Sequence, residues 1–263
     1  MKHLLFALLA LLALAFQPLR AQEFDHEHKL WTSVLAKHVK ADRFDYAALK
    51  KDRGELDAYL AQLKSATPAQ LAGWTREQRY AFWINAYNAN CIALVLGEYP
   101  VPSIKDIGSF FTAVWDKRYI DMTALDPQGK GRKLSLTDIE HVILRPEFKD
   151  ARVHAAINCA SLSCPPLRAE AFVAARLNEQ LDDSVRRWLA DTTRNRFEPA
   201  KNRLQISAIF DWFKEDFERE GGVRAWIAKF APPEHVEWLR SSAKLELATL
   251  DYSWKLNDVV KAK

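Results

Sequence analysis

The segment His154-Ala-Ala-Ile-Asn158-Cys159-Ala-Ser161-Leu-Ser-Cys164-Pro165-Pro166-Leu167 gathers a histidine, an asparagine, a serine and two of the chain's three cysteines. A thiol beside an imidazole is a recurrent solution to acyl transfer that needs no cofactor, because the thiolate is the nucleophile and the imidazole moves its proton. Cys159 and His154 supply that pair, with Cys159 as nucleophile and Cys164 as a replacement nucleophile or resolving thiol. His141, next to Glu140, is the alternative base. Glu140 would orient the imidazole, and Asn158 would polarise the bond under attack. If residues 152–158 are extended, His154 and Asn158 share one face and a turn can bring the Cys159 thiol beside His154.

A second reading stands beside the first. Across a four-residue gap Cys159 and Cys164 could form a disulfide that pins the loop, leaving His154 as a hydrogen-bonded core residue. The first reading makes the protein a thiol-dependent hydrolase or acyl transferase on amide or ester bonds. The second makes it a non-catalytic envelope binding protein. Thiol–disulfide exchange is a third class, disfavoured because no Cys-x-x-Cys is present. Zinc is disfavoured by the same spacing, since neither Cys-x-x-Cys nor His-Glu-x-x-His occurs, and no cofactor or metal is expected. Gly129-Lys-Gly131 reads as a turn, not a phosphate cradle.

These residues need elements to hold them. Thr75-Arg-Glu-Gln78 forms a capping box ahead of an apolar helix over 79–97, stopped by Gly97 and Pro100. Asn85, Tyr87 and Asn88 are polar within it, so they either line a cleft or satisfy the backbone of the cysteine loop. Cys91, in the same helix, reads as a buried thiol. Ser135-Leu-Thr-Asp138 caps a helix that carries Glu140 and His141 to Pro146. Arg152 and Ser161 flank the thiols as substrate-binding or loop-supporting groups.

Elsewhere the periodicity predicts two helices within 25–64, a strand over 115–122 and a buried strand over 152–158. It predicts a helix over 169–189, strands near Phe197 and Leu204–Ile206 around the turn 199–202, and a helix over 209–217. Helices over 223–230 and 234–239 and a strand over 245–250 complete the chain. The aromatic residues Trp212, Phe213, Phe217, Trp226, Trp238 and Trp254 read as core. The sum is α+β: a helix-rich single domain with a small, mainly antiparallel sheet.

Residues 1–21 have a basic start, an apolar run from Leu4 to Phe16 and a small residue, Ala21, before the expected cut. They read as a secretory signal peptide, leaving 22–263 as one domain, exported to the periplasm with no later membrane span. Removal of Lys2 and Arg20 lowers the formal charge from +4 to +2, and the basic residues are dispersed, which argues against nucleic acid. The partners expected are a small molecule, a peptide or an envelope ligand. Oligomeric state is not readable.

Several segments together resemble the family catalogued as domain of unknown function 547, in its exported bacterial form. They are Phe82-Trp-Ile-Asn-Ala-Tyr-Asn88, Leu134 through His141, Arg152 through Leu167, Trp212-Phe-Lys-Glu-Asp-Phe217 and Asp251-Tyr-Ser-Trp-Lys-Leu-Asn257. The resemblance implies the domain boundaries and the choice of site, and no reaction. The central helix is also similar to that of transglutaminase and papain-like thiol enzymes, but no cysteine stands at its start.

Overall fold

The computed structural model describes residues 23–109 and 112–259; the leader expected over 1–21 lies outside them. The fold is helix-rich α+β. Its N-terminal part runs α1 (Lys29–His38), a two-stranded hairpin β1 (Val39–Lys40) and β2 (Arg43–Phe44), then α2 (Tyr46–Lys51), α3 (Gly54–Ser65), α4 (Pro68–Gly73) and α5 (Arg76–Glu98). The capping box forms as expected: the Thr75 side chain accepts from the Gln78 backbone while the Gln78 side chain reaches back to the Thr75 N–H. With two orphan donors satisfied at its start, α5 runs through the middle of the molecule. All but one of its residues from Tyr80 to Leu96 are buried, so it is packed on every side.

The expected strand over 115–122 is not formed. Short 3₁₀ turns occupy Val114–Asp116 and Thr123–Leu125, and among the described residues pairing is limited to one antiparallel bridge between Ile120 and Leu134. The next helix begins at the expected cap, where the Ser135 N–H and hydroxyl donate to Asp138 Oδ2 at 2.8 and 2.9 Å. It winds as a π-helix over Asp138–Leu144 and continues past Pro146 as α6 (Arg145–Phe148). Pro146 is tolerated because it stands in the first turn of the tighter α-segment, where an N–H is not needed. Residues Ala151–Ala155 form a 3₁₀ turn, not the expected strand. Asp150 caps it by accepting from the Arg152 N–H, and its small residues let it lie close to two packed cores.

The long helix after the cysteine loop is shorter than predicted, α7 (Leu177–Ala190). The C-terminal part comprises β3 (Arg196–Glu198), β4 (Arg203–Ile206), α8 (Ile209–Trp212), α9 (Lys214–Glu218), α10 (Val223–Phe230), α11 (Pro233–Ser241) and β5 (Glu246–Thr249). β3 and β4 pair antiparallel with Phe197 opposite Leu204, around the expected turn. β5 pairs parallel to β4 with Leu247 opposite Leu204, so the three-stranded sheet is mixed and the hairpin β1–β2 is antiparallel. The predicted helix over 209–217 is broken at Phe213 into α8 and α9.

Two apolar clusters hold the fold. One surrounds α5 and includes Trp31, Tyr59, Phe82, Leu144 and Leu256. The other packs Trp188, Phe210, Phe217 and Trp226, with Trp188 and Phe210 stacked at 4.6 Å. The 3₁₀ turn lies between them: Val153 belongs to the first, and Ala151 and Ala155 to the second. His154 is thereby held at the junction of the two cores.

Candidate active site

The cysteine loop is braced from three directions. From α5, the Asn88 amide donates to the Ala156 carbonyl at 2.9 Å and accepts from the Asn158 N–H at 2.8 Å. Asn158 in turn donates to the Pro165 carbonyl, while its side-chain oxygen accepts from the Ala160 N–H and from Asn257. That network holds Ala160 in the left-handed region at φ 61°, a conformation unfavourable for a residue with a Cβ. From below, buried Arg194 donates to the carbonyls of Cys164 and Leu162 at 2.7 and 2.6 Å. From outside, the segment 252–257 pairs along the loop: Leu162 N–H donates to the Lys255 carbonyl and Asn257 N–H to the Ala160 carbonyl. Asn158 and Asn88 thus act as loop supports. Asn85 supports a different stretch, bonding both the N–H and the carbonyl of Phe172. Arg152 lies apart from the thiols, paired with Asp150 and Asp182 at 2.7 Å each.

The loop places Cys159 Sγ 2.7 Å from Cys164 Sγ, both cysteines being free, and the Cys159 N–H donates to Cys164 Sγ at 3.0 Å. Ser161 Oγ stands 3.2 Å and the Tyr252 hydroxyl 3.4 Å from Cys159 Sγ, and they bond each other at 2.8 Å. Cys164 is the more buried; Cys159 is partly open. Burial opposes a charge on Cys164, but the Cys159 thiol, the Tyr252 hydroxyl and the Cys159 N–H outweigh it and bring Cys164 down to about 6. Cys159, donor to Cys164 and itself withdrawn from water, is pushed well up. The two sulfurs behave as one titrating unit that holds a single proton, with the negative charge on the Cys164 side.

His154 lies across the same cleft. Its Nε2 meets Asp216 Oδ2 at 2.7 Å, and Phe213 stacks on its ring at 4.1 Å. Asp216 also accepts from Arg145 Nε at 2.6 Å, from a second Arg145 nitrogen at 3.1 Å and from Arg219. Burial pushes the Asp216 carboxyl up, but His154 and Arg145 outweigh it and hold the group well below the usual carboxylate range. Burial lowers His154, more than Asp216 raises it, so the imidazole is neutral at pH 7. His141 is exposed and its Nδ1 lies 2.8 Å from Arg145, so it joins the outer edge of this network.

A cleft of about 200 Å³ is lined by Cys159, Cys164, His154, Glu140, His141 and Tyr87, and its wall is completed by aromatic residues. Trp212 stacks on Trp254 at 5.4 Å and Tyr252 packs against both; Trp212 is 48% exposed. The aromatic residues expected in the core therefore divide: Phe217 and Trp226 are buried there, whereas Trp212, Phe213 and Trp254 line the cleft. Among the described residues no group of three or more His, Cys, Asp or Glu is arranged to hold a metal.

Of the residues singled out in the sequence, the structure brings Cys159, Cys164, His154, His141, Glu140 and Tyr87 to one cleft, with Ser161 beside the thiols. It adds Asp216, Arg145 and Tyr252. Asp216 and Tyr252 stand in the segments 212–217 and 251–257, so the signal was present there without a role attached. Fold and site define a helix-rich α+β protein with a paired-thiol loop facing a carboxylate-held histidine. Residues 71–189 match the family described as "Protein of unknown function, DUF547". The match contains both thiols, His154 and Glu140, and stops before Asp216 and Tyr252. No curated protein and no solved structure matches the chain.

Proposed function

We propose that the cleft performs thiol-dependent acyl transfer on an amide or ester bond, as a hydrolase or acyl transferase. The observation that carries the reading is the shared cleft: Cys159 is partly open to it, and His154 lines it with one ring nitrogen fixed by Asp216. Cys159 attacks the carbonyl carbon as its proton passes toward Cys164, which already accepts it across 2.7 Å. His154, neutral beforehand, takes that proton on from Cys164 and delivers it to the leaving nitrogen or oxygen, and Asp216 stabilises the transient imidazolium and holds the ring. Water or an amine releases the acyl group by the reverse sequence. The sequence of residues 1–21 supports an exported protein, and an envelope substrate is consistent with that compartment.

The proximity of the two sulfurs favours one competing reading, a disulfide-pinned binding protein. Incubation with p-nitrophenyl acetate under reducing conditions, followed by intact mass and peptide mapping, separates the two. An acetyl adduct on Cys159 that is absent from Cys159→Ala is expected. A folded protein in which neither thiol acquires an acyl group, with or without reductant, overturns the proposal.

A further inference from the structure

Glu140 is buried in the wall of the cleft, yet among the described residues it forms no ion pair. The nearest cation, Arg145 on the same helix, directs its nitrogens to Asp216 and His141. From α5 the Tyr87 hydroxyl and Cys91 both face the Glu140 carboxyl. The cysteine loop presents Cys164, and α9 presents Asp216. His141 adjoins it in sequence, and His154 lines the same cleft. The surroundings thus hold one committed guanidinium, a carboxylate that is already ionised and a sulfur pair that carries charge. A second carboxylate charge there would sit in a low dielectric against the thiolate, an arrangement that costs far more than in water. The role expected for Glu140, to orient the imidazole, is filled by Asp216.

Resting on the acyl-transfer reading, we propose that Glu140 works as a neutral carboxylic acid and donates the hydrogen bond that stabilises the oxygen anion formed when Cys159 attacks. In that step the Cys159 sulfur–carbon bond forms, the carbonyl π electrons move to oxygen, and the thiol proton passes by way of Cys164 to the neutral His154. Glu140 keeps its proton throughout. When the carbonyl re-forms, the bond to the leaving atom breaks and His154 delivers that atom's proton. Burial and Cys164 push Glu140 up to about 7 against the opposing pull of Arg145 and Tyr87, so the acid form predominates below neutrality. Neutral buried carboxylic acids are effective donors to developing anions.

The test compares wild type, Glu140→Gln and Glu140→Ala in two assays over pH 5 to 9: iodoacetamide labelling of the thiols and p-nitrophenyl acetate turnover. Gln keeps a neutral donor of similar shape. Wild-type kcat should fall as pH rises through about 7, while Glu140→Gln should lose that alkaline decline and retain most of its activity at pH 6. Glu140→Ala should lose roughly 10²–10³ in kcat, the usual effect of removing one such donor. In Glu140→Gln the labelling midpoint of the thiol pair should stay where it is in the wild type, because Glu140 is already neutral at the pH where the pair titrates. A Gln variant as inactive as Ala, an unchanged alkaline decline or a labelling midpoint that falls by about a pH unit overturns the role of Glu140. Carboxyl ¹³C titration of Glu140 in the wild type needs no variant, and ionisation below pH 6 would also overturn it. Failure of the acyl-transfer reading has a different signature, the absence of any acetyl-thiol adduct in the wild type.

Discussion

Asp216→Asn tests the part of the site that depends most on a single atom group. Asp216 is 3% exposed and receives donors from His154, Arg145 and Arg219. An amide in its place has one acceptor oxygen, and its NH₂ must face a donor. Arg219 is exposed and its share is small. Arg145 is mostly buried and His154 fully so, and loss of a buried partner of this kind costs about 3–5 kcal/mol. For a domain of this size that lowers Tm by roughly 10 °C. Loss of the imidazole's orientation should lower turnover by about 10³–10⁴.

The pH dependence has a definite sign. A carboxyl depressed on folding contributes stability above its unfolded value, about 4, and that contribution disappears as pH falls through the folded value. The stability gap between wild type and Asp216→Asn should therefore be full at pH 7 and begin to narrow as pH falls below about 4. Tryptophan-fluorescence melts from pH 3 to 8, run beside p-nitrophenyl acetate turnover, measure both effects. A variant with wild-type melting and turnover within threefold of wild type would refute the reasoning. Lost stability with full turnover would keep Asp216 as a structural residue and remove it from the reaction.

Cys164→Ser should move the iodoacetamide midpoint of Cys159 toward that of an ordinary thiol, since the pair no longer shares a proton; labelling with an unmoved midpoint would refute the sharing. Asn88→Ala should cost about 2–4 kcal/mol by leaving the Ala156 carbonyl and the Asn158 N–H unsatisfied, measured by urea denaturation. His28 is fully buried against the Tyr59 hydroxyl and desolvation lowers it to about 3. Its unfolded form takes up a proton below about 6.5, so stability should fall by about 2 kcal/mol between pH 7 and 5, and His28→Asn should flatten that slope. Asparagine suits the left-handed backbone there, where φ is 48°. Trp212→Ala should leave Tm within about 2 °C, because half the ring is already exposed, and should raise KM for aryl esters with little change in kcat. A collapse in Tm would place that ring in the core instead.

Features encoded within one turn of chain were readable in the sequence. The Thr75 and Ser135 caps form where their spacing puts them, and the turn at 199–202 separates the two expected strands. The thiol loop was found because its reactive groups are neighbours in sequence. Residues 152–158 misled because a run of small apolar residues fits a buried strand and a tight turn equally well; Asp150 decides between them by capping the Arg152 N–H. Residues 115–122 carry strand-forming side chains but, among the described residues, find a strand partner only at Leu134. Asp216 and His154 are 62 positions apart, and no local period reports that they meet. The parallel pairing of β5 likewise depends on a crossover that no short window contains.

The clamp over the cysteine loop is made from residues 252–257, which leave the ribosome after every other part of the site. Until they arrive, the newly made thiols lack Tyr252, and Asn158 lacks its partner Asn257. The nascent chain therefore passes through a stage in which Cys159 and Cys164 are unshielded and free to meet Cys91, which the folded protein seals inside α5. A chain stopped short of residue 252 would keep the Asn88 and Arg194 braces but lack the outer clamp and the Tyr252 hydroxyl, so its two thiols would be held on one side and open on the other.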